Sequence, residues 1–167
     1  MAMIPLVEPA RNEYLAELER KSKRENHFFR MMAHKPEVLK NFVPLYGAIM
    51  GTGAVDRRIK ELVYLAASLT NECAYCSAAH RASAGKAGIT ENEIRAMATE
   101  QYQDFSEPER AVIQYARELT AEASANHSGE ALHKIFNDEQ VVEITLVAAM
   151  ANFTNRFNNG LGVQPEQ

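Results

Sequence analysis

Residues 56–80 read DRRIKELVYLAASLTNECAYCSAAH, and the rest of the chain is organised around them. Asp56 opens a helix over roughly 56–70, with Ile59, Leu62, Val63, Ala66 and Ala67 at helical spacing. Thr70, Asn71 and Glu72 form a tight break whose side chains can cap a new start. A second helix runs from about 73 to 87 and stops near Gly85 and Gly88. Both cysteines of the protein, Cys73 and Cys76, open it, and His80 follows one turn later. Positions 0, +3 and +7 share a stripe, which puts all three side chains on one face. Glu61 lies on the preceding helix. The hairpin therefore gathers two thiols, an imidazole and a carboxylate, a set suited to thiol redox chemistry.

Upstream, residues 1–10 hold two prolines and little periodicity, and read as an extended N-terminal arm. Residues 11–25 are charged, with Tyr14, Leu15 and Leu18 at helical spacing, and an apolar block follows from His27 to Ala33. Residues 36–50 predict a helix with Pro36 in its first turn, and Pro44 is expected to end or kink it. Gly47, Gly51 and Gly53 mark a loop. Downstream, Thr90–Glu93 and Ser106–Glu109 are capping boxes for helices to about 99 and 123. A short helix over 129–136 and a long one over 138–158 complete an all-α reading of residues 1–167 as a single domain. No strand alternation of useful length interrupts it. A faint echo sets 56–76 over 138–158, matching Glu61 to Glu143 and placing Cys73 and Cys76 over Asn155 and Asn158. Either the two long helices are a duplicated pair that packs as quasi-equivalent partners, with only the first copy carrying chemistry, or amphipathic helices with an Asp start produce such an echo by themselves.

Hydrophobic residues make up 46% and charged residues 24%, the composition of a globular chain. A net charge of −4 gives no electrostatic support for nucleic acid or an anionic membrane. The basic run Arg20–Arg24 is flanked by Glu17, Glu19 and Glu25 and reads as a solvated helix face. No stretch approaches the roughly 20 apolar residues of a membrane span, and MAMIPLVEPARNE lacks the features of a signal peptide. The expected compartment is the cytoplasm, where a C-x-x-C pair is more often catalytic or metal-binding than a structural staple.

A thiolate attacks peroxides and disulfides, and a helix N-terminus favours that anion. His80 can accept or relay the thiol proton, and Glu61 can orient His80 or take the proton last. A second thiol resolves an oxidised first one by condensing to a disulfide. Tyr64 and Ser68 share a face with Glu61 and are candidates to support it. His27, His34, His127 and His133 read as surface or packing residues. The cluster Asn152, Asn155, Arg156, Asn158 and Asn159 reads as helix termination or interface, the alternative being that Asn155 or Arg156 faces the cysteines. Met31, Met32 and Met50 fill core gaps or line an apolar substrate site. Two other readings stand beside a peroxidase. One is a disulfide oxidoreductase or thiol sensor. The other is a structural zinc site built from Cys73, Cys76, His80 and Glu61, although one regular helix does not easily surround a tetrahedral ion.

The pattern E-x11-C-x-Y-C-x3-H, carried by Glu61, Cys73, Tyr75, Cys76 and His80, resembles that of the AhpD-like alkylhydroperoxidases within the carboxymuconolactone decarboxylase family. The likeness is close over ELVYLAASLTNECAYCSAAHRASAGKAGIT and looser through SEPERAVIQYARELT and NFTNRFNNGLG, roughly residues 40–162. It implies an AhpD-like all-helical domain, assembly as a trimer or hexamer, and no cofactor or metal. It also implies hydroperoxide reduction with a dithiol reductant such as a lipoyl-bearing protein. Cys76 would attack, Cys73 would resolve, and Glu61 and His80 would relay protons. Tyr75 stands where the family can carry histidine; a phenol, titrating near ~10, is the poorer base but can donate a hydrogen bond.

Overall fold

The computed structural model describes residues 2–166. Among the described residues the fold is all-helical: α1 (Glu13–Ser22), α2 (His27–Met32), α3 (Pro36–Met50), α4 (Arg57–Thr70), α5 (Ala74–Lys86), α6 (Glu91–Ala98), α7 (Glu107–Glu122), α8 (Ser128–Ile135) and α9 (Asp138–Leu161). No described helix is long and apolar enough to cross a membrane.

The central helix is α4. Every residue from Ile59 to Ser68 is buried, because α4 packs against α5, α6, α7 and α9. Full burial of side chains such as Leu62 or Leu65 contributes ~1.5–3 kcal/mol each, and it obliges the polar residues on the same helix to find partners. Asp56 caps the helix by accepting the Ile59 N–H at 2.8 Å. At the other end Glu72 adopts a left-handed backbone (φ 52°), and the Cys73 N–H closes on the Ser68 carbonyl at 2.9 Å. That turn reverses the chain and delivers Cys73 as the cap of α5. Both capping boxes expected from the sequence form, at Thr90/Glu93 and Ser106/Glu109.

Pro44 neither ends α3 nor separates Gly47 from it: the helix runs unbroken from Pro36 to Met50. Leu39, Phe42, Val43, Tyr46, Ile49 and Met50 recur at helical spacing across the proline and pack on the core, while Pro44 itself is exposed. The carbonyl that lacks a donor therefore sits on the solvent side, and packing holds the helix through it. The loop is confined to residues beyond Gly51. There Gly53 lies so near Glu143 that an added Cβ would stand 1.8 Å from its Oε1, so any larger residue would have to push that carboxylate off its partners Lys60 and Val55.

Lys60, 1% exposed, fastens this loop. Its Nζ donates to the carbonyls of Ile49 (2.9 Å) and Gly51 (2.6 Å) and to Glu143 Oε1 of α9 (2.5 Å). The N-terminal segment lies along the domain: the Met3 N–H donates to Leu161 O and the Val7 N–H to Arg30 O, before a short 3-10 turn at Pro9–Arg11.

Candidate functional site

Cys73 and Cys76 are free thiols, 1% and 3% exposed, with sulfurs 2.6 Å apart. As the cap, Cys73 accepts the Cys76 N–H at 3.3 Å. Cys76 receives the Asn158 Nδ2–H at 3.2 Å, from the far end of α9. The hydrogen bond from the Cys73 thiol, followed by the side-chain donors Asn158, Asn155 and Thr154, outweighs burial and draws the Cys76 thiol down to about 7. Cys73 moves the other way, because its proton is committed to Cys76 and it is buried. Near neutral pH Cys76 is thus about half thiolate, while Cys73 keeps its proton.

Beside the sulfurs lies a second polar chain. Glu61, fully buried, accepts from His80 Nδ1 at 2.8 Å through Oε2. Its Oε1 stands 2.5 Å from Arg57 Nη2, an ion pair made by charge rather than by an aligned hydrogen bond. Burial alone would raise the Glu61 carboxyl, but His80 and Arg57 hold it below the usual carboxylate range. The other imidazole nitrogen, Nε2, meets the Tyr46 hydroxyl at 3.2 Å. Tyr64 stacks on the imidazole, with ring centroids 3.6 Å apart and planes 13° apart, and its hydroxyl bonds Thr154 Oγ1 at 2.5 Å. The His80 ring is thereby held at both nitrogens and on one face.

These groups meet at a cavity of about 110 Å³. Cys76 and His80 line it; Cys73 does not. Its walls are largely aromatic, from Phe28, Phe42, Tyr46, Tyr64 and Tyr75. The polar end, beside Cys76, is completed by Thr154 and Asn158.

The sequence reading placed Cys73, Cys76 and His80 on one helical stripe, and this needs correction. Cys73 is the cap that precedes the helix, so its sulfur lies behind Cys76. His80 bonds Glu61 and Tyr46 rather than either sulfur. Of the residues expected to support Glu61, Tyr64 does so through His80. Ser68 instead accepts the Asn155 amide at 3.1 Å and holds the Cys73 N–H, away from the carboxylate. Tyr75 turns from the imidazole and donates to Glu166 Oε1 at 2.9 Å. The Asn cluster divides: Arg156 is exposed, Asn155 is buried against Ser68 and Asn71, and Asn158 touches Cys76. Reading that cluster as termination or interface therefore missed Asn158. The echo offset by 82 residues was the available signal, since it sets Asn158 over Cys76, the residue it bonds. Tyr46 carried no signal. The remaining histidines lie outside the cavity.

A titration checks this electrostatic picture. Alkylation of Cys76 by iodoacetamide is expected to rise with pH about a midpoint near 7, because only the thiolate reacts. Asn158→Ala removes one donor to the anion, so its midpoint is expected to move up toward the ordinary thiol value. The rate at pH 7 should then fall several-fold. An unmoved midpoint would contradict the role given to Asn158.

The site is thus a helical hairpin that sets a C-x-x-C pair beside a buried Glu–His pair. The carboxymuconolactone decarboxylase family model matches residues 36–118. A protein of unknown function from Agrobacterium tumefaciens, described as a putative antioxidant defence protein AhpD, is 27% identical, with 81% of this chain and 95% of that one covered at a TM-score of 0.75. The alkylhydroperoxidase AhpD core of an uncharacterised peroxidase-related protein from Ralstonia eutropha JMP134 is 23% identical, with 99% and 93% covered at a TM-score of 0.86. The debrominase Bmp8, in its C82A form with 2,3,4-tribromopyrrole, is 20% identical, with 99% and 94% covered at 0.81. The chain belongs to the carboxymuconolactone decarboxylase family and has the AhpD-like fold.

Proposed function

We propose that the protein is a thiol-dependent peroxidase that reduces hydroperoxides through Cys76 and Cys73. The observation that carries this reading is the division of labour at the cavity. Cys76, the thiol drawn down in pKa, lines it together with His80, while Cys73 waits 2.6 Å behind. A hydroperoxide in the cavity meets the Cys76 thiolate, which becomes a sulfenic acid as the alcohol leaves; Cys73 then condenses with it to a disulfide, releasing water. Glu61 and His80 manage the accompanying protons. A dithiol reopens the disulfide, and a slender lipoyl-type arm suits so enclosed a pair. A cytoplasmic setting fits this cycle, because reducing pools there keep thiols available. The aromatic walls favour organic hydroperoxides, and an antioxidant role follows from that chemistry.

The partner we propose is another copy of the chain. Val38, Leu45, Val142, Leu146 and Phe153 expose apolar surface on α3 and α9, the type of patch that associating proteins cover, consistent with a trimer or hexamer. Near-complete burial of both sulfurs weighs against bulky protein disulfides as substrates, and so against the oxidoreductase reading. The zinc reading is opposed by His80, whose two nitrogens bond Glu61 and Tyr46.

The test is a screen of dithiol donors against several hydroperoxides, with the Cys73–Cys76 disulfide followed by mass spectrometry. Peroxide consumption coupled to that disulfide is expected. Reaction with disulfides far faster than with any peroxide would choose the oxidoreductase instead. The aromatic walls could also receive a flat brominated ring, and debromination of tribromopyrrole in the same screen without peroxide turnover would select that chemistry.

A further inference from the structure

We infer that Tyr46 is the terminal proton donor of the site, passing the proton held by His80 to the oxygen that leaves when the peroxide bond breaks. This rests on the peroxidase reading and adds a residue to it. Three observations carry it. First, His80 does not hydrogen-bond either sulfur; its Nδ1 is committed to Glu61 at 2.8 Å, and its Nε2 meets Tyr46 Oη at 3.2 Å. Any proton leaving Nε2 therefore meets the phenol first. Second, Tyr46 lines the cavity with Cys76 and so faces the place where a substrate must sit. Third, its ring is held against neighbours, tilted on Phe42 at 5.6 Å between centroids and edge-on to Tyr64 at 6.4 Å. The hydroxyl is thereby aimed by packing rather than left to swing.

The phenol also keeps its proton. Burial, then the nearby Glu61 charge, pushes Tyr46 well above the ordinary phenol range. It therefore rests as a donor, and a proton from His80 Nε2 spares the site a buried phenolate once the phenol has given its own away.

The step balances as follows. In its cationic form His80 holds one proton toward Glu61 and one toward Tyr46. The Cys76 thiolate attacks the terminal oxygen of the hydroperoxide; the S–O bond forms as the O–O bond breaks. The departing alkoxide takes the Tyr46 phenolic proton while the His80 Nε2 proton moves onto the Tyr46 oxygen. The products are the Cys76 sulfenic acid, an alcohol, an intact phenol and a neutral imidazole. Cys73 condenses with the sulfenic acid and releases water. The dithiol that reduces the resulting disulfide returns one proton to Cys73 and one to His80, and restores the Cys76 thiolate.

A donor of this type matters in proportion to how poorly the leaving oxygen carries negative charge. Tyr46→Phe keeps the ring and removes only the hydroxyl. With tert-butyl hydroperoxide, whose alkoxide needs a proton, the second-order rate of Cys76 oxidation is expected to fall about 100-fold. With peracetic acid, whose acetate leaves without one, the loss should be several-fold at most. The rate of Cys76 alkylation by iodoacetamide, which needs a thiolate but no leaving-group proton, reports whether the pocket is intact and should change little. Equal losses on both peroxides, or no loss on either, would overturn the role of Tyr46 alone. Failure of the unsubstituted protein to react with either peroxide would sink the peroxidase reading and this inference with it.

Discussion

Cys76→Ser is expected to abolish hydroperoxide consumption, with a loss of at least about 1,000-fold, while Cys73→Ser should consume a single equivalent and stop. The asymmetry follows from the placement of the sulfurs. Cys76 borders the cavity, accepts the Asn158 amide and is drawn down to about 7; Cys73 is directed onto Cys76 and shifted upward. A serine hydroxyl at 76 stays protonated at neutral pH and is no substitute for a thiolate. A serine at 73 leaves the attack intact but removes the thiol that resolves the sulfenic acid. Peroxide assays at substoichiometric and excess substrate, with mass spectrometry of the trapped sulfenic acid, separate the two variants. Sustained turnover in Cys76→Ser would transfer the attack to Cys73 and contradict the geometry.

The second large effect is on stability. Lys60→Met is expected to destabilise the fold by about 3 kcal/mol, read as a lower denaturant midpoint with an unchanged slope. The methionine restores most of the apolar bulk, but the Ile49 and Gly51 carbonyls and the Glu143 carboxylate lose their shared donor. Adding Glu143→Gln should recover part of the loss, since the unpaired charge disappears while an amide oxygen can still accept the Val55 N–H, now at 2.9 Å from Glu143 Oε2. A loss below about 1 kcal/mol in the single variant would mean that water replaces the ammonium at no great cost.

Most of the helical plan could be read from the sequence because its signals are local. The apolar positions of α4, the break at Thr70–Glu72 and the two capping boxes each lie within a turn or two of the backbone they direct. Glu61, Cys73, Cys76 and His80 were visible for a related reason: one hairpin carries them all. Pro44 does not end α3 because its intrinsic effect is local, whereas the packing that carries the helix past it comes from side chains on both sides of the proline. Tyr46 and Asn158 lay beyond such reasoning, since each reaches the site across 34 and 82 residues of chain, respectively. Lys60 looked like one more charge on a helix; only the fold shows three acceptors converging on it.

The last helix, α9, is one uninterrupted rod of 24 residues. Thr154 and Asn158 line the cavity from it, while Val142, Leu146 and Phe153 look outward, and Phe153 stacks on Phe42 of the cavity wall at 5.8 Å. A neighbour seated on that outward side would lean on the same lever that holds the sulfur anion. If copies of the chain associate through that side, as proposed above, diluting them apart should be felt at Cys76 as a change in chemical temperament, and not merely as a smaller particle.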